Sequence, residues 1–323
     1  MKGPRDQDEV EGQGTVPRRP LGRTGVEVSA IGLGGYHIGI PDLPEKESVR
    51  IIRTAIDSGI DFLDNSWDYN QGESERRMGV ALEDGYRDRA FLMTKIDGRD
   101  RRTARRQLDE SMDRLRTDIV DLLQFHEIIR HDDPDRVLAA GGALEAALEA
   151  RDDGLVRFIG FTGHKSPDMH NHMLDLADDL GFRFDTLQMP LNLLDAHFDS
   201  FERQVLPRAV EKGMGVLGMK PLGAGMVLES GDVSPTECIH YAMSLPTSVV
   251  ITGCDSVDIL KQAIAAGRTF RQFDEEELDG LRARTARVAA GGSLETYKTG
   301  DRHDSTVKNP QWLGSVRETT VRR

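Results

Sequence analysis

The sequence predicts an α/β fold: a single (β/α)8 TIM barrel with an N-terminal β-hairpin and an extra C-terminal helix and tail. Short apolar strands recur eight times along the chain, amphipathic helical patterns lie between them, and no Pro/Ser-rich linker divides the sequence. Several strand patterns are apolar on both faces, as in a parallel sheet that helices cover. An open, doubly wound sheet is the alternative, but the glycines of 32–35 lack the G-x-G-x-x-G spacing of a dinucleotide-binding turn.

The composition excludes several classes of protein. The 323 residues carry 42 Lys and Arg against 55 Asp and Glu, a formal net charge of −13, so general nucleic-acid binding is not expected. No apolar run reaches the ~20 residues of a membrane span, and the polar start of the chain does not resemble a secretory signal. Cys238 and Cys254 are too few for a disulfide framework, which favours a reducing compartment. We therefore expect a cytoplasmic protein without a nucleic-acid or membrane partner.

The elements follow in order along the chain. Residues 1–18 are polar and contain several Gly and Pro, so we expect a disordered N-terminal tail followed by one domain over 19–323. A turn-like segment at 23–25 predicts a small hairpin ahead of the first barrel strand. The eight predicted strands are 30–33, 61–65, 91–95, 121–126, 158–163, 186–189, 215–220 and 249–254. The predicted helices are 45–58, 102–115, 143–151 and 256–266, with a final helix over 274–290 before the C-terminal tail.

Four ionisable residues lie where these strands end. Asp64, Lys95 and His126 come at the ends of the second, third and fourth strands at even spacing, and Tyr69 lies in the loop after Asp64. Side chains at the carboxyl ends of barrel strands meet at one mouth, where the chemistry of such enzymes takes place. A single residue of each type is more often structural, but three at successive strand ends with a phenol in the adjoining loop favour a catalytic group.

The chemistry of these four residues suits protonation of an oxygen. A phenol titrates near ~10, too high to give up its proton readily at neutral pH. We expect the ammonium of Lys95 to lower the pKa of Tyr69, with Asp64 balancing the buried positive charge. A neutral His126 would hold a substrate oxygen in line. Reduction of a carbonyl group requires such a proton donor, because its oxygen becomes an alkoxide.

The motif that carries these residues resembles the aldo-keto reductase family. The similarity is most specific at 59–66, Tyr69 and 75–79, and it extends from Arg19 through 249–263. The resemblance implies a barrel that binds NADP(H) or NAD(H) and reduces an aldehyde or ketone to the alcohol. A small-molecule carbonyl compound is therefore the expected partner, and the oligomeric state is left open.

The resemblance also assigns roles to the four residues. Hydride passes from the nicotinamide to the carbonyl carbon while Tyr69 acts as general acid, tuned by Lys95 and Asp64, and His126 orients the carbonyl. One alternative is a cofactor-binding regulatory barrel with little turnover. Another is a barrel aldolase that forms a Schiff base at Lys95, which would need no nicotinamide.

The family likeness further implies a cofactor site at the ends of the fifth to eighth strands. Gly163 stands where the family has an Asn that contacts the carboxamide, and Met219 where it has an aromatic residue that stacks on the nicotinamide. Tyr36 and Trp67 are expected to form walls of the substrate pocket. The implied cofactor residues are Thr162, Gln188, Met219, Lys220, Pro221, Leu222, Gly223, Gly253, Asp255 and Gln262.

Cofactor preference is expected to depend on the eighth strand. Family members that prefer NADPH carry Lys and Arg there for the 2′-phosphate, whereas this chain has the acidic Asp255. A phosphate without a cationic partner binds poorly, so we expect use of both cofactors or a preference for NADH. Lys261, Arg268 and Arg271 are possible substitute partners. The His and acidic residues of 126–133 lack the spacing of a ligand set, so no metal site is expected.

Overall fold

A short antiparallel hairpin opens the fold. The computed structural model describes residues 14–230 and 232–315, and β1 (Arg18–Pro20) pairs with β2 (Glu27–Ser29). The chain reverses at Gly25, whose φ of 77° lies in the left-handed region that favours glycine. Leu21, between the strands, is fully buried and packs in one apolar cluster with Val249 and other barrel residues. The predicted hairpin is confirmed, and it covers one end of the barrel.

Eight further strands form a closed, all-parallel barrel. Neighbouring strands follow one another in sequence around the ring, and the last pairs with both the first and the seventh. Both faces of most strands are buried, which explains their continuous apolar patterns. The predicted fold class is confirmed, and each predicted strand overlaps an observed one. The strands are β3 (Ile31–Gly34), β4 (Phe62–Asp64), β5 (Phe91–Ile96), β6 (Val120–Phe125), β7 (Val156–Thr162), β8 (Thr186–Pro190), β9 (Gly215–Met219) and β10 (Val249–Gly253).

Helices surround the barrel, and apolar faces and capping residues in their sequences stabilise them. The buried face of α1 carries Ile52, Ala55 and Ile56, and capping boxes begin α9 at Ser234 and α11 at Asp274. No helix in the described ranges is both long enough and apolar enough to span a bilayer. The α-helices are α1 (Glu45–Asp57), α2 (Glu73–Ala81), α3 (Arg101–Leu115), α4 (Asp133–Leu138), α5 (Ala143–Asp152), α6 (Pro167–Asp179), α7 (Phe201–Gln204), α8 (Leu206–Glu211), α9 (Pro235–Ser244), α10 (Val257–Arg268), α11 (Glu275–Ala289), α12 (Thr296–Thr299) and α13 (Ser305–Lys308).

The segment after α11 folds back over the carboxyl ends of the strands. The carboxylate of Glu127, just after β6, accepts hydrogen bonds from the backbone N–H groups of Ser305 and Thr306, each at 2.8 Å. Trp312 packs edge-on against Trp67, with 5.4 Å between ring centroids. The extra helix and tail are therefore present as predicted through residue 315. Residues 1–13, in the predicted disordered tail, and 316–323 lie outside the described residues, and the division into tail and single domain stays a prediction.

Candidate active site

The structure brings the four strand-end residues together at the mouth of the barrel. The Lys95 ammonium donates to Asp64 Oδ1, to the carbonyl oxygen of Asn65 at 2.8 Å and to the Tyr69 hydroxyl at 3.2 Å. The rings of Tyr69 and His126 meet edge to face, with centroids 5.7 Å apart. Asp64, Lys95 and His126 are almost fully buried. The four side chains therefore meet at one mouth, as their even spacing along the chain predicted.

Local backbone geometry explains how each side chain reaches this point. Asp64 is the last residue of β4, Lys95 the penultimate residue of β5, and His126 follows β6 directly. Tyr69 begins a short 3-10 segment in which Asn70 has a left-handed φ of 51°. Asn70 Nδ2 donates to the Tyr36 carbonyl oxygen at 2.7 Å, which ties this segment to the loop after β3.

The protonation state of Tyr69 differs from the sequence-based expectation. Burial raises the pKa of this phenol well above its ordinary value, and the nearby carboxylates of Asp64, Asp68, Glu127 and Asp97 raise it further. A single ammonium, Lys95, does not reverse this effect, so the predicted lowering of the pKa is wrong. Tyr69 therefore stays protonated throughout the neutral pH range, and its hydroxyl offers one proton at the mouth of the barrel.

His126 also differs from expectation, because two carboxylates contact it. Its Nδ1 lies 3.0 Å from Asp97 Oδ1 and 3.3 Å from Asp68 Oδ1. Burial alone would lower the pKa of the imidazole, but these carboxylates outweigh it and raise the pKa to about 10. The structure favours an imidazolium, not the neutral ring that the sequence suggested. The sequence analysis missed Asp68 and Asp97. Their only indication in the sequence is that each is an acidic residue shortly after a barrel strand, β4 or β5.

Two buried polar atoms beside Asp64 have no partner in the described ranges. Thr162 and Gln188 are register partners on β7 and β8, and both side chains are buried. Gln188 Nε2 donates to Asp64 Oδ2 at 2.8 Å, whereas Gln188 Oε1 and Thr162 Oγ1 make no hydrogen bond. Buried polar atoms left unpaired are costly, so this pair suits a ligand that offers both a donor and an acceptor. A carboxamide group does so.

Gly163 has a steric reason to be glycine. A Cβ at this position would collide with the carbonyl oxygen of Ile128, so no side chain fits beside Thr162. The Asn that the family usually has at this position would have no room here. Contact with a carboxamide would therefore come from Thr162 and Gln188.

The loop after β9 holds a cation near the same mouth. Lys220 has a left-handed φ of 54°, and its ammonium lies 5.6 Å from the ring centroid of Tyr297. Burial lowers the pKa of Lys220 to about 8, with Glu127 opposing and Lys95 reinforcing this effect. Within the described ranges no carboxylate forms an ion pair with its Nζ, so an anionic ligand would complete its environment. Met219, Pro221, Leu222 and Gly223 form the adjoining strand end and turn.

Comparison with known proteins decides the family. The model of the aldo/keto reductase family matches residues 30–237. The chain belongs to the aldo/keto reductase family. It is 30% identical to L-galactose dehydrogenase of Arabidopsis thaliana over 67% of this chain and 68% of that protein. It is 26% identical to 6-dehydroglucose reductase of Novosphingobium aromaticivorans over 79% of this chain and 80% of that protein.

A solved structure supports the fold of this aldo/keto reductase. The holo form of aldo-keto reductase AKR11C1 from Bacillus halodurans superposes with a TM-score of 0.71, covering 83% of this chain and 96% of that chain. Their sequence identity is 22%, so this comparison bears on the fold alone. Together with the family match, it confirms the family resemblance and the barrel that the sequence predicted.

The end of β10 in this reductase offers little positive charge. Gly253, Asp255 and Gln262 are exposed, and a Cβ at Gly253 would collide with the ring of His37. Lys261 is also exposed and lies 3.9 Å from Asp258.

The two arginines suggested as phosphate partners are at the wrong end of α10. Arg268 is the last of its 12 residues, and a helix of that length spans ~18 Å. Arg271 lies beyond Arg268 and forms a salt bridge with Glu277. The suggestion that Arg268 and Arg271 replace the usual phosphate partners is therefore wrong, because the helix carries them away from the mouth. Lys261 is the one cation of the three that lies nearer the start of the helix.

A cavity of about 500 Å³ lies between the loop after β4 and the C-terminal segment, and none of Asp64, Tyr69, Lys95 and His126 lines it. Trp67 and Trp312 supply aromatic walls, Gln71 and Asn309 supply amides, and Arg114 supplies a guanidinium. Asp68, which contacts His126, also lines the cavity. Trp67 Nε1 donates to Glu110 Oε2 at 2.7 Å, which fixes the orientation of its ring. Trp67 lines this cavity, while Tyr36 packs edge-on against Tyr69 with 5.6 Å between ring centroids, and their role as walls of the substrate pocket stays a prediction.

Proposed function

We propose that this aldo/keto reductase reduces an aldehyde or ketone to the alcohol with NADP(H) or NAD(H), using Tyr69 as the proton donor. The observation that carries the proposal is the chain of hydrogen bonds from Asp64 through Lys95 to the Tyr69 hydroxyl. A phenol with one proton beside a buried ammonium is suited to protonate an oxygen that gains negative charge. The ammonium then stabilises the phenolate that remains.

The residues around this group fit the nicotinamide cofactor, which when bound supplies hydride to the carbonyl carbon. Thr162 Oγ1 and Gln188 Oε1, both unpaired, would hold the carboxamide, and Lys220 would pair with the pyrophosphate. Gln188 is itself oriented by Asp64, so one carboxylate positions both the Lys95 ammonium and the carboxamide contact. His126 lies across the Tyr69 ring and would contact the carbonyl oxygen.

The geometry disfavours the aldolase alternative. A Schiff base requires a neutral amine free to attack a carbonyl carbon. All three N–H groups of the Lys95 ammonium are used, by Asp64, the Asn65 carbonyl and Tyr69. Lys95 is therefore better placed to support Tyr69 than to act as a nucleophile.

The pocket suggests a polyhydroxylated carbonyl substrate. The C–H groups of a sugar can pack on the negative face of an indole ring, here Trp312, while Gln71, Asn309 and Arg114 offer N–H groups to its hydroxyl groups. Two relatives carry names that refer to sugars, L-galactose dehydrogenase and 6-dehydroglucose reductase. We therefore expect sugar-derived aldehydes or ketones to be better substrates than unsubstituted alkyl aldehydes of the same length.

The test follows cofactor absorbance with a panel of sugar-derived and alkyl carbonyl compounds. We expect consumption of the reduced cofactor that depends on the carbonyl compound and a kcat/KM at least ~10-fold higher for the sugar-derived group. If the cofactor binds but is not consumed with any compound, the regulatory-barrel alternative is favoured instead. Borohydride trapping of substrate on Lys95 would favour the aldolase.

Cofactor preference gives a separate prediction. Because the end of β10 presents Asp255 and no guanidinium, the 2′-phosphate of NADPH should gain little binding energy. We expect KM values for NADH and NADPH within ~10-fold of each other, or lower for NADH. Steady-state kinetics with both cofactors at one carbonyl concentration measures this, and a hundredfold preference for NADPH would contradict it.

A further inference from the structure

Oxygen atoms surround one nitrogen of the catalytic imidazole. His126 Nδ1 lies 3.0 Å from Asp97 Oδ1, 3.2 Å from Ser66 Oγ and 3.3 Å from Asp68 Oδ1. The Ser66 hydroxyl donates to Asp68 Oδ1 at 2.6 Å, so its one hydrogen is used and it offers Nδ1 lone pairs. Every neighbour of Nδ1 is thus an acceptor. Nδ1 must carry a hydrogen, and Asp97 is the nearest acceptor.

This constraint on Nδ1 decides what Nε2 can do. A neutral ring with its hydrogen on Nδ1 has a lone pair at Nε2 and cannot donate from there. Only the imidazolium donates from both nitrogens. Within the described ranges no protein group bonds to Nε2, and the edge-to-face contact with Tyr69 places the ring beside the phenol. If His126 is to donate to a substrate oxygen, it must carry the positive charge.

The two carboxylates in turn need a cation. Asp97 is fully buried, its Oδ1 contacts His126, and its Oδ2 has no partner in 14–230 or 232–315. Arg99, the guanidinium two residues along, binds the Asp97 and His126 carbonyl oxygens and the Asp133 carboxylate instead of the Asp97 carboxylate. A buried carboxylate left without a counter-charge is strongly destabilising. His126 is the cation that contacts both Asp97 and Asp68.

We propose that Asp97 and Asp68 are positioning residues that hold His126 as an imidazolium, leaving its Nε2–H free for the oxygen that becomes negative during reduction. This inference rests on the proposed function and adds two residues to the four that the sequence singled out. Asp68 also lines the cavity between Trp67 and Trp312, which is the pocket proposed above for the substrate.

The pH dependence follows from the groups that face this cluster. The loop after β4 contributes Asp68 and Tyr69 to this cluster. Lys95 belongs to β5, Asp97 lies in the loop after it, and Glu127 lies beside the His126 ring. Burial and the Asp68 carboxylate raise the pKa of Asp97 to about 6, and the paired carboxylates raise that of His126 to about 10.

These two pKa shifts have opposite effects on the stability of the fold. His126 titrates above its ordinary value of ~6.5, so its ion pairing stabilises the fold fully below ~6.5 and is lost as pH rises through about 10. Asp97 titrates above its ordinary value of ~3.9, so its ionisation costs stability as pH rises from ~3.9 to about 6. Both charges of the pair are present together between about 6 and 10.

The first measurement is independent of turnover. Histidine-labelled protein without cofactor is titrated by NMR, and His126→Gln assigns the His126 signals. We expect two N–H signals from His126 at pH 8 and a midpoint above 8.5, at least ~2 units over an exposed histidine. A midpoint near ~6.5 would overturn the proposal whether or not any carbonyl substrate has been found. Absence of turnover with an imidazolium present would count against the proposed function alone.

The second measurement uses the neutral isostere Asp97→Asn. We expect the ratio of its rate of carbonyl reduction at pH 9 to its rate at pH 6 to be at least ~10-fold lower than in wild type, because His126 now loses its proton at the higher pH. Asp68→Asn should shift the profile in the same direction. Asp132→Asn, an exposed carboxylate away from the ring, is the matched control and should leave the profile unchanged.

Two outcomes would overturn the role of the carboxylates. One is a loss of rate in Asp97→Asn that is equal at every pH, since a structural defect alone would not follow the charge of His126. The other is a wild-type rate that falls on chelation and returns with zinc, since the cluster would then hold a metal ion instead of a proton. If Asp97→Asn does not fold, the NMR titration of wild type and Asp68→Asn decides the question.

Discussion

Replacing Tyr69 with Phe should lower the turnover of carbonyl reduction at least ~10²-fold while leaving cofactor affinity nearly unchanged. The substitution removes one hydroxyl, the group that receives the Lys95 hydrogen bond at 3.2 Å. The ring remains, so its edge-to-face contacts with Tyr36 and His126 can persist. The loss should therefore fall on the chemical step and not on binding.

Steady-state turnover and a fluorescence titration of the cofactor separate these two effects. Tyr86→Phe is a matched control, because it removes a phenolic hydroxyl that donates to Asp57 on the outside of the barrel. The control should retain normal turnover. Near-normal turnover in Tyr69→Phe would remove Tyr69 as the proton donor and leave His126 as the alternative source.

Replacing Lys95 with Met should cost both stability and activity. Lys95 and Asp64 are nearly fully buried, and the ammonium is the cation that neutralises this carboxylate. Breaking a buried ion pair by removing one partner typically costs about 3–5 kcal/mol, because the remaining charge has no counter-charge. Thermal unfolding should show a marked fall in Tm, and turnover should fall with it.

The double variant Lys95→Met/Asp64→Asn separates the two losses. It removes the unpaired carboxylate, so much of the lost stability should return, while the ammonium needed by Tyr69 stays absent. We expect recovery of Tm without recovery of turnover. If both return together, Lys95 is structural and its contact with Tyr69 has no catalytic meaning.

Element positions were predictable because each depends on a local pattern. The predicted strand at 121–126 and the observed Val120–Phe125 differ by one residue at each end, and the predicted helix at 45–58 ends one residue beyond Glu45–Asp57. Both follow from the alternation of apolar strands with amphipathic helices. The convergence of Asp64, Lys95 and His126 was predictable for a related reason. In a parallel barrel all carboxyl ends share one mouth, so order along the chain implies closeness in space.

The charges of the site were not predictable from this order. The sequence suggested a lowered pKa for Tyr69 and a neutral His126, because it considered Lys95 and Asp64 alone. The folded chain surrounds the same two residues with Asp68, Asp97 and Glu127, none of which the motif marks. A pKa depends on every charge within a few ångströms and on burial, and both are properties of the packed mouth.

The sequence by itself determined the barrel, its order of strands and the meeting of four ionisable groups, because hydrophobic periodicity and the geometry of parallel strands leave few other arrangements. Only the tertiary structure decided which loops face those groups. It placed two carboxylates on one nitrogen of His126 and left Thr162 and Gln188 with unpaired buried atoms. Such contacts join residues from separate loops, and no local pattern encodes the distance between them.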